Sequence, residues 1–210
     1  MISRAEYWVP GNDAYPHNAG RLVMQEFPPE YYPWAETQLQ QATAISPQNL
    51  YAWMDLGSFY LLWATSVEEI DGSEHLGKAQ AAIEQGLKIN GTYPFLLREL
   101  GQIHGALGHL DSAGKYLEES ILLDQTDAFS YLALGNVRLS QDRHDDAALA
   151  FMYARDLAPE LPAPVLGLAR TYLADARCDD AYSALQTLST LDTEGLSVLE
   201  AVLQCLQTQD

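Results

Sequence analysis

Basic residues are scarce in this chain. Its 210 residues include 11 lysines and arginines against 29 aspartates and glutamates, which gives a net charge of −18 at pH 7. A surface of this sign repels the phosphates of nucleic acids and of anionic lipids. We therefore expect no nucleic-acid partner. We interpret the excess of acidic residues as a source of solubility and not as the sign of one particular partner.

Long apolar runs and a secretory signal are also missing. No stretch reaches the roughly 18 apolar residues that a transmembrane helix requires, so we expect no insertion into a membrane. Residues 1–20 lack the basic-then-apolar layout of a secretory signal. A cytoplasmic location is the expectation, and the mature form of an exported protein would have the same appearance.

The sequence contains no motif that indicates catalysis, a cofactor or a metal ion. There is no glycine-rich phosphate loop and no Gly-x-Ser-x-Gly nucleophile elbow. The two cysteines, Cys178 and Cys205, lack CxxC spacing, and we expect buried or half-buried thiols rather than a disulfide framework. His104 and His109 are five residues apart, which is not the spacing that places two metal ligands on one helix face. We predict a protein that is not an enzyme and that uses no cofactor.

Acidic pairs recur at one phase of the chain. Asp145 and Asp146 open one helix-like segment, and Asp179 and Asp180 open the next. Carboxylates at the start of a helix complement its dipole and cap its free N–H groups. We therefore interpret these pairs as structural and not as acid–base couples.

What the sequence does have is a small residue at a fixed position in successive apolar segments. The segments are "WMDLGSFY", "LRELGQIH", "YLALGNVR" and "VLGLARTY". Their small residues are Gly57, Gly101, Gly135 and Ala169, at intervals of 44, 34 and 34. Glycine inside a helix costs about 1 kcal/mol relative to alanine. We expect a neighbouring helix to approach closely at each of these positions, where a side chain would block it.

An amphipathic segment follows each small residue. These segments place small residues on either side of a large one at helical spacing, as in Ala147, Phe151 and Ala154. Short polar links such as "SQDRHDD" separate the two segments of each pair. The pattern predicts helical hairpins.

This pattern resembles the tetratricopeptide repeat (TPR), a 34-residue helix–turn–helix unit. Residues 128–161 carry the best match, which rests on Tyr131, Leu134, Gly135, Ala147, Phe151, Ala154 and Pro159. The match departs at Arg138, where the family usually has an aromatic residue. The resemblance covers residues 30–210 and implies an all-α, right-handed α-solenoid with capping helices at its ends.

The resemblance also implies a division of the chain. We expect a half-repeat at 30–46, repeats at about 50–93, 94–127, 128–161 and 162–195, and a capping helix at about 195–208. Residues 1–29, which are rich in aromatics and proline, are expected to lie extended and partly docked on the repeats. The first repeat has ten extra residues, which predict two lengthened helices around an acidic loop.

In TPR proteins the first helices of successive repeats line a concave groove. In this chain we expect the groove to be lined by aromatic and aliphatic side chains together with carboxamides and guanidinium groups. They are Tyr51, Met54, Phe95, Arg98, Gln102, Phe129, Leu132, Asn136, Leu139 and Arg170. A guanidinium beside carboxamides holds carboxylates or backbone carbonyls, and aromatic rings anchor apolar side chains.

These residues predict a non-catalytic scaffold or adaptor that binds a peptide or helix of a partner protein in the groove. An accessory or assembly subunit that stabilises a catalytic partner is the alternative, and an enzyme is third. The alternative to partner binding is that residues 1–29 of the chain occupy the groove, or that the groove is simply solvated. A homo-oligomer is left open, and the identity of the partner is not encoded in the fold.

Overall fold

The computed structural model describes residues 29–66, 72–188, 190 and 192–208. Over these residues the chain forms a short 3-10 turn at Pro29–Tyr31 and ten α-helices, with no strand. The helices are α1 (Tyr32–Ile45), α2 (Leu50–Ser66), α3 (Ser73–Ile89), α4 (Pro94–Ala106), α5 (Leu110–Leu123), α6 (Ala128–Ser140), α7 (His144–Leu157), α8 (Pro162–Ala174), α9 (Cys178–Leu185) and α10 (Thr193–Gln207). The predicted all-α class is confirmed. The extended form expected of residues 1–29 falls almost wholly outside the described residues.

The chain divides into two compact units, Met1–Leu107 and Gly108–Asp210. The first unit contains α1–α4 and the second contains α5–α10. In both units each helix packs against the next one along the chain, as hairpins do. Helices two apart along the chain also meet: α2 contacts α4 in the first unit, and α6 contacts α8 in the second. None of the described helices combines the length and the apolar composition that crossing a membrane demands.

The small residues at the repeated position are buried, as their spacing predicts. A Cβ atom on Gly57 would lie 2.6 Å from Ile83 Cγ1, and a Cβ on Gly135 would lie 2.6 Å from the ring of Phe151. Carbon atoms do not approach this closely, so glycine lets the two helices of each hairpin pack in contact. The glycine that looks unfavourable in the sequence is therefore required by the packing.

Glycines of two different helices lie against the ring of Phe151. It is fully buried, and a Cβ on Gly167 of α8 would also lie 2.5 Å from it. Gly135 of α6 and Gly167 of α8 thus both lie against the ring at positions where a side chain would collide with it. The sequence pattern identified Gly135 but not Gly167.

Helix lengths follow the local sequence. α2 and α3 are each 17 residues long, which confirms the predicted lengthening in the first repeat. The acidic loop expected between them falls on residues 67–71, outside the described part of the chain. α9 has only eight residues and ends at Leu185. The Thr187 hydroxyl donates a hydrogen bond to the Ala184 carbonyl at 2.7 Å, a local bond that competes with continued helix.

Arg138, which departs from the TPR pattern, is buried between α5 and α6. Its guanidinium forms an ion pair with Glu118 of α5 and donates a hydrogen bond to Gln141 Oε1 at 2.8 Å. A Cβ on Gly114 would lie 3.1 Å from the guanidinium nitrogen Nη1, so the absence of a side chain there makes room for the cation. A polar contact replaces the usual aromatic one.

The two cysteines are joined as a disulfide, so the expectation of free thiols is wrong. Cys178 is the first residue of α9 and Cys205 lies in the last turn of α10, with their Cα atoms 5.7 Å apart. This separation is the usual one for bonded cysteines. The two helices pack against each other, and the bond fastens the last helix of the second unit to its neighbour.

The acidic pairs lie in the first turns of α7 and α9, where negative charge complements the helix dipole. One carboxylate of each pair also accepts a hydrogen bond from the arginine three residues earlier. The Nε–Oδ2 distance is 2.7 Å both for Arg143 and Asp146 and for Arg177 and Asp180. The repeat therefore includes an arginine–aspartate pair that the sequence analysis did not single out.

Three turn residues, spaced 34 apart, adopt a left-handed backbone. The φ angles are 77° at Gly108, 57° at Asp142 and 56° at Ala176. Glycine adopts this conformation freely, aspartate tolerates it, and alanine is strained in it. The same left-handed turn thus occurs three times at the repeat spacing, with a different residue at its position each time.

We expect Ala176→Gly to stabilise the protein by up to about 1 kcal/mol, because glycine removes the strain at φ 56°. Thermal unfolding followed by circular dichroism measures this. The control is Ala174→Gly, which changes an exposed alanine in the last turn of α8 and should destabilise by about 0.5–1 kcal/mol. A lower melting temperature for Ala176→Gly would contradict the assigned turn.

Candidate functional site

In the first unit the predicted site residues lie on α2 and α4. Tyr51, near the start of α2, is 54% exposed, and its ring meets the ring of Tyr93 edge-on at 6.4 Å. Met54 is half-buried on the same helix. The exposed aromatic side chain is held by a neighbouring ring while much of its surface remains accessible, which suits it to anchor an apolar group.

On α4 the predicted residues form a stacked pair. The Arg98 guanidinium lies over the ring of Phe95, 4.5 Å from its centroid. Gln102 is half-buried one turn further along. A guanidinium stacked on an aromatic face is oriented with less loss of side-chain freedom when it binds a carboxylate or a carbonyl. The stacking was not foreseen from the sequence.

A buried carboxyl group lies beside this pair. Ser58 of α2 donates a hydrogen bond to Glu99 Oε2 of α4 at 3.0 Å, and the Glu99 side chain is buried. Burial raises the pKa of Glu99, while the Ser58 hydrogen bond and the positive charge of Arg98 oppose that rise. Ser58 therefore joins α2 to α4, the two helices that carry the predicted site residues of this unit.

We expect Glu99→Gln to raise the melting temperature near neutral pH and to leave it unchanged in acid. The pKa of Glu99 is raised in the folded protein. The contribution of Glu99 to the free energy of unfolding is therefore fully present below its unfolded-state pKa and is lost as pH rises through its folded-state pKa. Glutamine keeps an acceptor for Ser58 and cannot ionise. Melting curves from about pH 4 to about pH 8 test this, with the exposed Glu119→Gln as the control. A pH-independent difference would contradict the assignment.

In the second unit the predicted residues lie on α6 and α8. Phe129 is 50% exposed and Asn136 is exposed. Leu132 and Leu139 are half-buried and pack against the core cluster that contains Phe151. These two leucines contribute to the core as well as to the surface, whereas the side chains of Phe129 and Asn136 are more exposed.

Arg170 of α8 is exposed and paired across to the last helix. Its Nη2 lies 2.6 Å from Glu194 Oε1 of α10. An exposed pair of this kind contributes about 0–1 kcal/mol. A carboxylate of a bound partner would therefore compete with Glu194 at little cost.

The predicted site residues offer apolar, carboxamide and guanidinium groups for non-covalent contacts. Over the described parts of the chain, no group of three or more histidine, cysteine, aspartate or glutamate side chains is placed to hold a metal ion. His144 bonds through Nδ1 to Asp175.

An open cleft of about 410 Å³ in the second unit has Leu166, Thr187 and Asp192 among its lining residues. Asp192 there accepts the Gly195 N–H as the cap of α10.

Sequence comparison and structure comparison give different results. No family model matches the sequence, and no curated protein matches it at a significant level. Solved structures do match. PilW, a widely conserved type IV pilus biogenesis factor, is 18% identical over 93% of this chain and 86% of its own, with a TM-score of 0.79. TTC0263, a TPR protein of Thermus thermophilus, is 22% identical over 78% of this chain and 83% of its own, with a TM-score of 0.67.

The chain has the tetratricopeptide repeat fold. YrrB, described as a TPR protein with an unusual peptide-binding site, is similar as well, at 15% identity over 95% of this chain and 92% of its own, with a TM-score of 0.61. Identities this low carry the fold and nothing of the partner. Under the repeat division expected from the sequence, α2, α4, α6 and α8 are the first helices of their repeats, and all ten predicted site residues lie on these four helices.

Proposed function

We propose that this protein is a non-catalytic scaffold or adaptor that binds a peptide or helix of a partner protein on the first-helix surfaces of its TPR fold. One observation carries the proposal. Tyr51 and Phe129 occupy the second position of their repeats, and each is about half exposed although large aromatic rings are usually buried. Rings of this kind, set on helices whose other faces are packed, are typical anchors at protein interfaces.

The polar residues on these helices indicate the chemistry of the partner. Arg98 and Gln102 in the first unit, and Asn136 and Arg170 in the second, offer donors to carboxylates and backbone carbonyls. The chain has few other bases, with 11 in all against 29 acids. A partner segment with apolar side chains spaced between acidic groups fits these surfaces best.

Two structural relatives support the two versions of this function. YrrB, with its peptide-binding site, favours direct binding of a peptide. PilW, a pilus biogenesis factor, favours the alternative, in which the protein is an assembly subunit that stabilises or positions a partner, catalytic or not. An enzyme is the least favoured reading, because the arrangement of the described side chains suits recognition rather than proton or group transfer.

The location of the protein bears on which partners it meets. The cytoplasmic expectation stays a prediction, and the Cys178–Cys205 bond favours an oxidising compartment instead, because cytosolic thiols are kept reduced. Alkylation of thiols in intact cells, followed by mass spectrometry of the protein, separates the two. Cysteines that the reagent leaves unmodified support the oxidised form, and doubly alkylated protein supports the cytoplasm.

The proposed function is tested by comparing what co-purifies with variants of the full chain. Wild type, Phe129→Ala and the double variant Arg98→Ala/Arg170→Ala are purified from the native cells, and bound proteins are quantified by mass spectrometry. Tyr182→Ala is the matched control, because it removes an exposed aromatic ring from a second helix.

We expect a partner that wild type and Tyr182→Ala recover equally and that Phe129→Ala recovers at least tenfold less, as for a hot-spot residue worth about 2 kcal/mol. The double arginine variant should weaken recovery and reduce its dependence on salt. Equal recovery by every variant would place the binding site elsewhere on the chain.

A further inference from the structure

A second apolar surface lies on α7, opposite the side of the helix that carries the buried Phe151. Leu149 and Tyr153 are 52% and 51% exposed, and Met152 between them is 39% exposed. We name these three residues the α7 outer face. At helical spacing they form one continuous patch, and the Tyr153 ring is held against Tyr131 of α6 at 5.3 Å.

The repeat itself does not require this patch. One repeat earlier, at the same phase on α5, the chain has Lys115, Glu118 and Glu119. One repeat later, on and just after α9, it has Ser183, Gln186 and Thr187. Polar residues thus fill the same phase in both neighbouring repeats. The apolar residues on α7 are specific to this repeat, and exposed apolar patches of this kind mark interaction sites.

Acidic groups lie at both ends of the α7 outer face. Asp145 is one turn before Leu149, and Asp156 is one turn after Met152, and both are exposed. Asp156 shares its charge with the adjacent Arg155, an exposed pair at 2.8 Å that contributes little. The surface is therefore apolar at its centre and has an exposed carboxylate at each end, of which that of Asp156 is paired with Arg155.

We infer that the α7 outer face binds an amphipathic helix of a partner protein, with apolar residues at its centre and lysine or arginine about one turn to either side. The charges favour this partner over a second copy of the chain. A second copy would place Asp145 and Asp156 against the same carboxylates, and each copy carries a net charge of −18. The α7 outer face shares no residue with the proposed first-helix site, so the protein would bind two partners through different residues.

The test uses a synthetic helical peptide with leucines on one face and lysines one turn to either side, and a second peptide with glutamates in place of the lysines. Both are labelled with fluorescein and titrated with the full chain, and anisotropy is recorded at low and at physiological ionic strength. The variant of the site is Leu149→Gln/Tyr153→Gln. The matched control is Leu196→Gln on α10, because Leu196 is also 52% exposed. Phe129→Ala reports on the first-helix surface.

We expect the lysine peptide to bind wild type, Leu196→Gln and Phe129→Ala equally. It should bind Leu149→Gln/Tyr153→Gln at least tenfold more weakly, and wild type should bind the glutamate peptide at least tenfold more weakly as well. A second variant, Asp145→Asn/Asp156→Asn, keeps the apolar patch and should flatten the salt dependence. This variant gives a separate readout if the first one unfolds.

Three results would overturn the inference. Equal binding of the lysine peptide by Leu149→Gln/Tyr153→Gln and wild type would show that the peptide attaches elsewhere. A wild type that is dimeric by light scattering, with a monomeric double variant, would make the α7 outer face a self-association surface. Binding that begins only after removal of residues 1–28 would make the chain's own N-terminal segment the occupant.

Discussion

Replacing Gly135 with leucine is expected to lower the free energy of unfolding by more than about 3 kcal/mol, at the upper end of the cost of overpacking a core. A Cβ at this position would already lie 2.6 Å from the Phe151 ring. The ring is also closely packed against α8, since a Cβ on Gly167 would lie 2.5 Å from it, and Phe151 is fully buried. In a protein of this size the loss lowers the melting temperature by roughly 6–12 °C.

Gly77 provides the matched control for this prediction. It lies on α3, and a Cβ added there would meet nothing within 4 Å. Gly77→Ala should therefore stabilise the protein by up to about 1 kcal/mol through helix propensity alone. Combining Gly135→Ala with Phe151→Leu should recover part of the stability lost in Gly135→Ala, because the smaller leucine side chain makes room for the added Cβ atom. An unchanged melting temperature for Gly135→Leu would mean that α6 does not meet α7 there.

Removing the disulfide is the second change with a large expected effect. The double variant Cys178→Ser/Cys205→Ser should lose about 3 kcal/mol, the usual contribution of a bond that closes a loop of this length, here with 27 residues of separation. The loss should be concentrated at α10, which the bond fastens to α9. Limited proteolysis should then cut the link between these two helices first, because α10 would be held only by its apolar contacts.

Reduction of the wild-type protein should reproduce the effect of the double serine variant. The melting temperature of wild type should fall on adding dithiothreitol, and that of the double variant should not change. Free thiols in the purified, unreduced protein, together with a melting temperature that dithiothreitol leaves unchanged, would contradict the crosslink.

The hairpins could be predicted from the sequence because close packing leaves a mark in it. Gly57 and Gly135 are conspicuous inside apolar helices, and each faces a large side chain of the following helix. Gly167 encloses the same ring and escaped notice, since it follows no repeated phase among the first helices. A repeated residue pattern identifies only contacts that recur in successive repeats, and the contact of Gly167 with the ring does not.

Contacts between residues distant in sequence could not be predicted. The disulfide joins residues 27 apart, and spacing alone does not say whether two cysteines approach. The Ser58–Glu99 bond spans 41 residues and depends on α2 meeting α4. Arg138 was recognised as a departure, but its partner Glu118 and the space above Gly114 are evident only once α5 and α6 are packed.

The candidate site was predicted as a set of positions and not as a surface. Repeat phase identified the helix face, and this face holds both Phe129, half exposed, and Leu132, which packs against the core. Exposure depends on neighbouring side chains, which the phase does not give. The α7 outer face was missed for the related reason that its apolar residues were interpreted only through the buried side of the helix.

Photo-crosslinking at Phe129 tests the central claim most directly. Benzoylphenylalanine introduced at this position in the full chain, in the cells that make it, should form a covalent adduct with a partner protein on irradiation. The same amino acid at Ser183, exposed on the second helix α9, should form far less of it. Absence of an adduct at Phe129, or equal adducts at both positions, would contradict a partner-binding surface on the first helices.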